Sequence, residues 1–256
     1  MEWHQVAPLL AVHFTVIATD LRGYGDSSIP SESSSHEEYS KKEMARDQIE
    51  LMHRLGFDRF AVAGHDRGAR VGHRMAIDYP DKITRLALID VVPSYKLYTR
   101  LTQDFATAYY HWFLLAQPSP LPETLLGNNA EFFLRTWAFN GLIPDVITDE
   151  AFAEYLRGFK NPERLHAMCE DYRAGATIDL EHWKKDLHKK IQCPLLVLWG
   201  GKGAMGLLYN VLDEWREIAV DVRGKAFDGG HWLPEQFPKD VSAELLSFFE
   251  EHPEKQ

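Results

Sequence analysis

Arg59-Phe60-Ala61-Val62-Ala63-Gly64-His65-Asp66-Arg67-Gly68 is the stretch that decides how this chain folds. Arg59–Ala63 is a short apolar run suited to a strand inside a sheet, and Arg67–Asp78 reads as a helix. Between them lies Gly64-His65-Asp66-Arg67-Gly68, a strand, sharp turn and helix in immediate succession. Such a turn is strained, so Gly64 and Gly68 are expected where it packs against neighbouring backbone. The central side chain, Asp66, is then thrust above the sheet at a helix N-terminus, whose dipole favours an anion. An aspartate that only capped the helix would not need glycines on both sides at this spacing.

Working outward, short apolar runs alternate with longer helical ones, which predicts an α/β fold with a mostly parallel sheet. Strands are expected at Phe14–Thr19, Arg59–Ala63, Ile83–Ile89, Pro194–Trp199 and Val222–Phe227. Helices are expected at Tyr39–Leu55, Arg67–Asp78, Leu207–Ile218 and Val241–Glu250. Met44, Ile49, Met52 and Leu55 give the first of these an apolar stripe. Between Pro93 and Gln192 no strand candidate occurs, and the residues are aromatic-rich and punctuated by Pro118, Pro120, Pro122, Gly127, Gly141 and Pro144. A helical cap over 93–191, inserted into an α/β core over 1–92 and 192–256, is the expected organisation, since long surface insertions cost little closure entropy. The Ser/Glu-rich tract Ser31–Ser35 is the one compositional bias.

Composition narrows the function classes. The chain has 28 Lys and Arg against 38 Asp and Glu, a net charge of −10, which argues against nucleic acid or an anionic membrane as partner. A small anionic substrate is still admissible, because local arginines outweigh distant surface charge that salt screens. Cys169 and Cys193 have no metal-ligand or redox spacing and are expected to be buried thiols in a reduced compartment. Neither a leader-like opening nor a long apolar run is present, so the expectation is a cytoplasmic protein without cofactor or metal.

Three further pieces agree with the turn at Asp66. Asp20-Leu21-Arg22-Gly23-Tyr24-Gly25-Asp26-Ser27 follows the first strand candidate and looks like the DxRGxGxS turn of α/β-hydrolases. Ser27 has no surrounding nucleophile turn and is not placed as one. Gly229-Gly230-His231-Trp232 follows the last strand candidate, so His231, one of twelve histidines, sits on a Gly-rich loop where sites form in such sheets. The turn Gly200-Gly201-Lys202-Gly203-Ala204 contains no carboxylate, whereas Ile83–Ile89 runs straight into Asp90. A buried acid there needs a partner, and His231 would satisfy it and have its tautomer fixed in return.

Longer motifs carry a family resemblance. His65-Asp66-Arg67-Gly68-Ala69-Arg70, Leu88-Ile89-Asp90, Tyr110-His111-Trp112, Leu115-Ala116-Gln117-Pro118 and Cys169-Glu170-Asp171-Tyr172-Arg173-Ala174-Gly175 are similar to the pattern of fluoroacetate (haloacetate) dehalogenases. The similarity runs in order to His231-Trp232-Leu233-Pro234-Glu235 and covers nearly the whole chain. It implies hydrolysis of haloacetates, fluoroacetate giving glycolate and fluoride, through an ester on Asp66. Asp90 and His231 are implied as the acid–base pair, Arg67 and Arg70 as carboxylate binders, and His111, Trp112 and Tyr172 as the halide pocket. A homodimer is implied as well. Arg67 and Arg70, three apart on one helical turn, can face one ligand, and guanidinium forks suit a carboxylate.

Two alternatives stand beside this. An epoxide hydrolase uses the same Asp–His–Asp logic, but in that family Trp usually follows the nucleophile, where this chain has Arg67. The other is an N-terminally shortened, weakly active or merely ligand-binding relative. The family pattern begins with further strands and an HGxP-like loop, and Met1-Glu2-Trp3-His4-Gln5 corresponds to sequence past that loop. The Arg67 backbone N–H is then expected to be the main remaining oxyanion donor, and losing one such donor typically costs about 10²–10³ in rate.

Overall fold

Four of the five expected strands pair, all parallel, in the order β1-β2-β3-β4. They are β1 (Phe60–His65), β2 (Ile83–Ile89), β3 (Leu195–Gly200) and β4 (Val222–Phe227), in a computed structural model that describes residues 1–31 and 33–251. Interior strand β2 ends in the apolar run Leu86–Ile89, whose four residues are fully buried because both faces are covered there. Edge strand β4 instead exposes Arg223 and Lys225, charges that discourage pairing with another chain.

The strand expected at Phe14–Thr19 is not found. A strand exists through its ladder, and among the described residues none pairs with this segment, although Phe14 and Val16 pack on the core. Helix bounds shift as well. Tyr39–Leu55 becomes a short turn at Glu37–Tyr39 and a helix at Lys41–Arg54. Leu207–Ile218 is two helices, Ala204–Leu208 and Val211–Arg216, broken where Asn210 caps the second through the Asp213 N–H. Val241–Glu250 starts earlier, at Pro238, whose missing N–H suits a first turn.

The chain divides into two compact units. One contains Glu2–Ala18, Ala45–Pro93 and the residues from Leu187 onward, and holds the sheet. Val6 and Leu10, with Val241, Leu245 and Phe248 of the helix Pro238–Glu250, bury against Ala87, Ile89, Leu196 and Leu198. Alternation turns Leu86 and Leu88 of β2 to the opposite face. There the helix Asp66–Asp78 lies so close that a side-chain carbon at Gly72 would come within 3.2 Å of Leu86. Each fully buried leucine or isoleucine here contributes roughly 2 kcal/mol.

The other unit combines Thr19–Met44 with Ser94–Asp186 and has no strand among its described residues. Sequence alone assigns Thr19–Met44 to the α/β part; buried polar bonds explain the regrouping. Lys41 pairs with Asp171, and its Nζ lies 3.2 Å from Asp179, all three side chains being buried. Tyr24 Oη donates to Asp171 Oδ2 at 2.7 Å. Asp171 belongs to the helix Pro162–Ala176, whose Ala167 and Ala174 pack with Tyr39. The turn Asp20–Ser27 needs Gly23 and Gly25 for their positive φ angles of 83° and 50°. Of the Ser31–Ser35 tract, Glu32 lies outside the described residues, as do residues 252–256 of the expected α/β core. Among the described residues no helix is long and apolar enough to cross a membrane.

Candidate active site

The strand register brings two aspartates side by side. His65 pairs with Ile89, so Asp66 and Asp90 each follow the last rung of adjacent parallel strands. Both turn out of the ladder through left-handed backbone, with φ of 42° at Asp66 and 51° at Asp90. Residues other than glycine rarely adopt that conformation, which costs about 1–3 kcal/mol and concentrates at functional sites. Asp66 is not a helix cap, because it is the first residue of the helix and His65 occupies the cap position. A side-chain carbon at Gly64 would lie 2.6 Å from the Gly68 backbone, so the turn requires glycine there. The same expectation for Gly68 is corrected: a carbon added to it would meet nothing within 4 Å.

His231 follows β4 and reaches Asp90. Its Nδ1 is 2.6 Å from Asp90 Oδ2, and Asp90 Oδ1 accepts from the Gly200 N–H at 2.9 Å. A carboxylate oxygen only accepts, so Nδ1 carries the proton and a neutral ring presents a lone pair at Nε2. Nε2 lies 3.9 Å from Asp66 Oδ2, a separation at which one water can touch both groups. The Gly200–Ala204 turn, which lacks an acid, thus supplies a backbone donor to the acid on the next strand.

Asp66 is held as an anion. Burial works to raise its pKa, but His231, Arg70, His65 and Arg67 outweigh burial and bring it below the ordinary carboxyl value. Arg67 and Arg70 are both buried on the opening turns of Asp66–Asp78, and Arg70 Nη1 donates to the Val92 carbonyl at 3.3 Å. The constellation therefore brings together an ionised carboxylate, an oriented imidazole and two guanidinium groups, the kinds of group that nucleophilic attack, proton transfer and anion binding call for.

His111, Trp112 and Tyr172 are buried together in the helical unit. The Tyr172 ring centroid lies 6.0 Å from His111 and 6.4 Å from Trp112, both pairs edge-on. Trp137, which sequence reasoning left unplaced, packs 4.1 Å from His111 between ring centroids. Sequence reasoning gives His65 no role beyond its place in the turn motif, yet its Nε2 donates to the His231 carbonyl at 2.9 Å. Among the described residues no cluster of three or more His, Cys, Asp or Glu is arranged to hold a metal. Both thiols are free. Burial pushes Cys169 up to about 12 and Cys193 up to about 11, although Cys193 is only half-buried rather than buried as expected.

The family model for the alpha/beta hydrolase fold matches residues 1–238. Over 250 residues the chain is 42% identical to a fluoroacetate dehalogenase of Burkholderia sp, covering 96% of this chain and 82% of that protein. It is 34% identical to a soluble epoxide hydrolase of Corynebacterium sp, covering 97% and 85%. Among solved structures, a candidate alpha/beta hydrolase from Nostoc sp is similar with a TM-score of 0.94 and 52% identity, covering 98% of this chain and 87% of that one.

Proposed function

On the premise that the chain belongs to the alpha/beta hydrolase fold family and is a hydrolase, we propose that it hydrolyses the carbon–halogen bond of haloacetates. The observation that carries this is the ionised Asp66 on a strained turn, with His231 Nε2 3.9 Å away and two buried arginines on the same helix.

Arg67 and Arg70 hold the substrate carboxylate. An Asp66 oxygen forms a bond to the α-carbon as the carbon–halogen bond breaks, and the halide leaves with the bonding electrons. Aspartate suits this step because the resulting ester can be hydrolysed, whereas serine would give an inert ether. His231 then takes a proton from water whose oxygen adds to the Asp66 carboxyl carbon. Collapse breaks the bond from that carbon to the glycolate oxygen, which takes up a proton, and one Asp66 oxygen now comes from solvent. The resemblance assigns the departing halide to the N–H and O–H donors of His111, Trp112 and Tyr172. Fluoride is strongly hydrated, and charge-assisted or strong bonds of about 1.5–3 kcal/mol each offset that loss.

Similarity to the Corynebacterium enzyme supports a second reading, hydrolysis of an epoxide by the same Asp66, Asp90 and His231. Arg67 favours the anionic substrate. The test is parallel measurement of fluoride and glycolate from fluoroacetate and of diol from styrene oxide. Single turnover in H₂¹⁸O should place label in the Asp66 carboxyl group. Diol without halide would reverse the order, and label confined to glycolate would exclude the ester route.

A further inference from the structure

His65 ends β1, immediately before the nucleophile, and its side chain is buried. Both ring nitrogens face groups that can only accept. Nε2 lies 2.9 Å from the His231 carbonyl oxygen, and Nδ1 pairs with the Glu2 carboxylate. A neutral imidazole donates from one nitrogen only, and with Nε2 donating to the carbonyl a second proton on Nδ1 would pair the ring as a cation with the ionised Glu2 carboxylate. The ring lies 4.4 Å from the His231 ring and 5.9 Å from Trp232, centroid to centroid.

We propose that His65 is a positioning residue for the general base, gripping the His231 loop by its backbone and acting on the hydrolytic step. The inference rests on Asp66 as nucleophile and His231 as base. Gly229 and Gly230 precede His231, and their loop is held by the Gly230 N–H donating to Gln236 Oε1 at 3.1 Å and by the Leu233 N–H donating to the His231 carbonyl at 3.0 Å. A charge-assisted bond from His65 to the same carbonyl adds a side-chain hold from the end of β1 while leaving the imidazole of His231 to Asp90. The groups facing His65 are consistent with a lasting charge. Burial alone would lower its pKa, but Glu2, then Asp66 and Asp90, overcome burial and lift it to about 9. Bond formation to the α-carbon needs only Asp66, still flanked by Arg67, Arg70 and His231, so loss of His65 should spare that step.

The test separates the two steps in the full chain by rapid quench, measuring halide release and the Asp66 ester by intact mass. His65→Leu should slow ester hydrolysis about 30-fold or more and change the halide burst less than about threefold. His65→Gln keeps a donor toward the His231 carbonyl and should recover part of the loss. In the unsubstituted protein ester hydrolysis should fall as pH rises through about 9, where His65 loses its proton. Glu2→Gln should move that fall to lower pH, and it keeps the test alive should His65→Leu fail to fold. Equal slowing of both steps in a folded His65→Leu protein, or hydrolysis at the unsubstituted rate with no alkaline fall, would overturn the assignment. Absence of any ester in the unsubstituted protein would instead overturn the nucleophile reading, and this inference with it.

Discussion

Replacing Asp90 by Asn tests the base directly, and the surrounding bonds determine what the amide does. The Gly200 N–H sits 2.9 Å from Oδ1 and needs an acceptor, so the amide oxygen takes that place. The NH₂ group then occupies the Oδ2 position, now 2.6 Å from His231 Nδ1, where it can only donate. Nδ1 becomes the acceptor, and the single proton of a neutral ring moves to Nε2, the atom that has to receive a proton from water. Flipping the amide would set two donors against each other in a buried site, at a cost of about 1–3 kcal/mol. The wrong tautomer should reduce ester hydrolysis about 10⁴-fold, or about 5.4 kcal/mol of barrier. In the proposed mechanism, halide displacement by Asp66 uses no base. Asp90→Asn should therefore release one equivalent of halide per site at near the normal rate, then stop with the protein heavier by one carboxymethyl group. Rapid-quench halide detection with intact mass measurement reads both events. Steady turnover within about tenfold of the unsubstituted protein, or the absence of that first equivalent, would refute the reasoning.

Asp66→Asn keeps the shape of the turn and removes the nucleophilic charge, so fluoride release should vanish from the first turnover onward with the circular dichroism spectrum unchanged. A surviving burst would point to another nucleophile. Lys41→Met leaves Asp171 and Asp179 buried without their cation, which should cost about 3–5 kcal/mol and lower the thermal midpoint by about 10 °C. A shift below about 2 °C in calorimetry would show that the ion network contributes little to the helical unit. His73 gives a pH dependence: burial, then Arg74 and Arg70, push its pKa down to about 3 from the usual 6.5. The unfolded chain takes up a proton near pH 6.5 that the folded chain refuses until about 3, so stability is lost as pH falls through this window, by up to about 5 kcal/mol. His73→Phe, which keeps a ring against Trp215, should flatten that acid limb in denaturant titrations at pH 4 to 7, and an unchanged limb would assign it elsewhere.

How much was legible follows from what each residue depends on. β2 falls at the expected bounds because Ile83 and the apolar run Leu86–Ile89 mark a strand covered on both faces. Phe14–Thr19 is also a short run suited to a strand but has no ladder partner among the described residues, and pairing is not written in a strand's own residues. Asp66 and Asp90 were legible because each interrupts a pattern at the end of a strand, one between glycines and one in apolar surroundings. His65 was not, because its role lies in a bond to a backbone carbonyl far along the chain, a target that every residue offers alike. His111, Trp112 and Tyr172 came only through resemblance; nothing local distinguishes their rings from ordinary core packing. The placement of Thr19–Met44 was hidden for a related reason, since Lys41 reads as a surface charge until Asp171 and Asp179 are seen around it.

The spacing between Asp66 and Asp90 is set by rungs of a parallel ladder and by no loop. One residue gained or lost within β1 or β2 would displace an aspartate by about 3.3 Å and turn its side chain to the other face. Substitution and length change in the surrounding connections leave that ruler untouched. The connections can thus change what is grasped without altering the interval between the two acids.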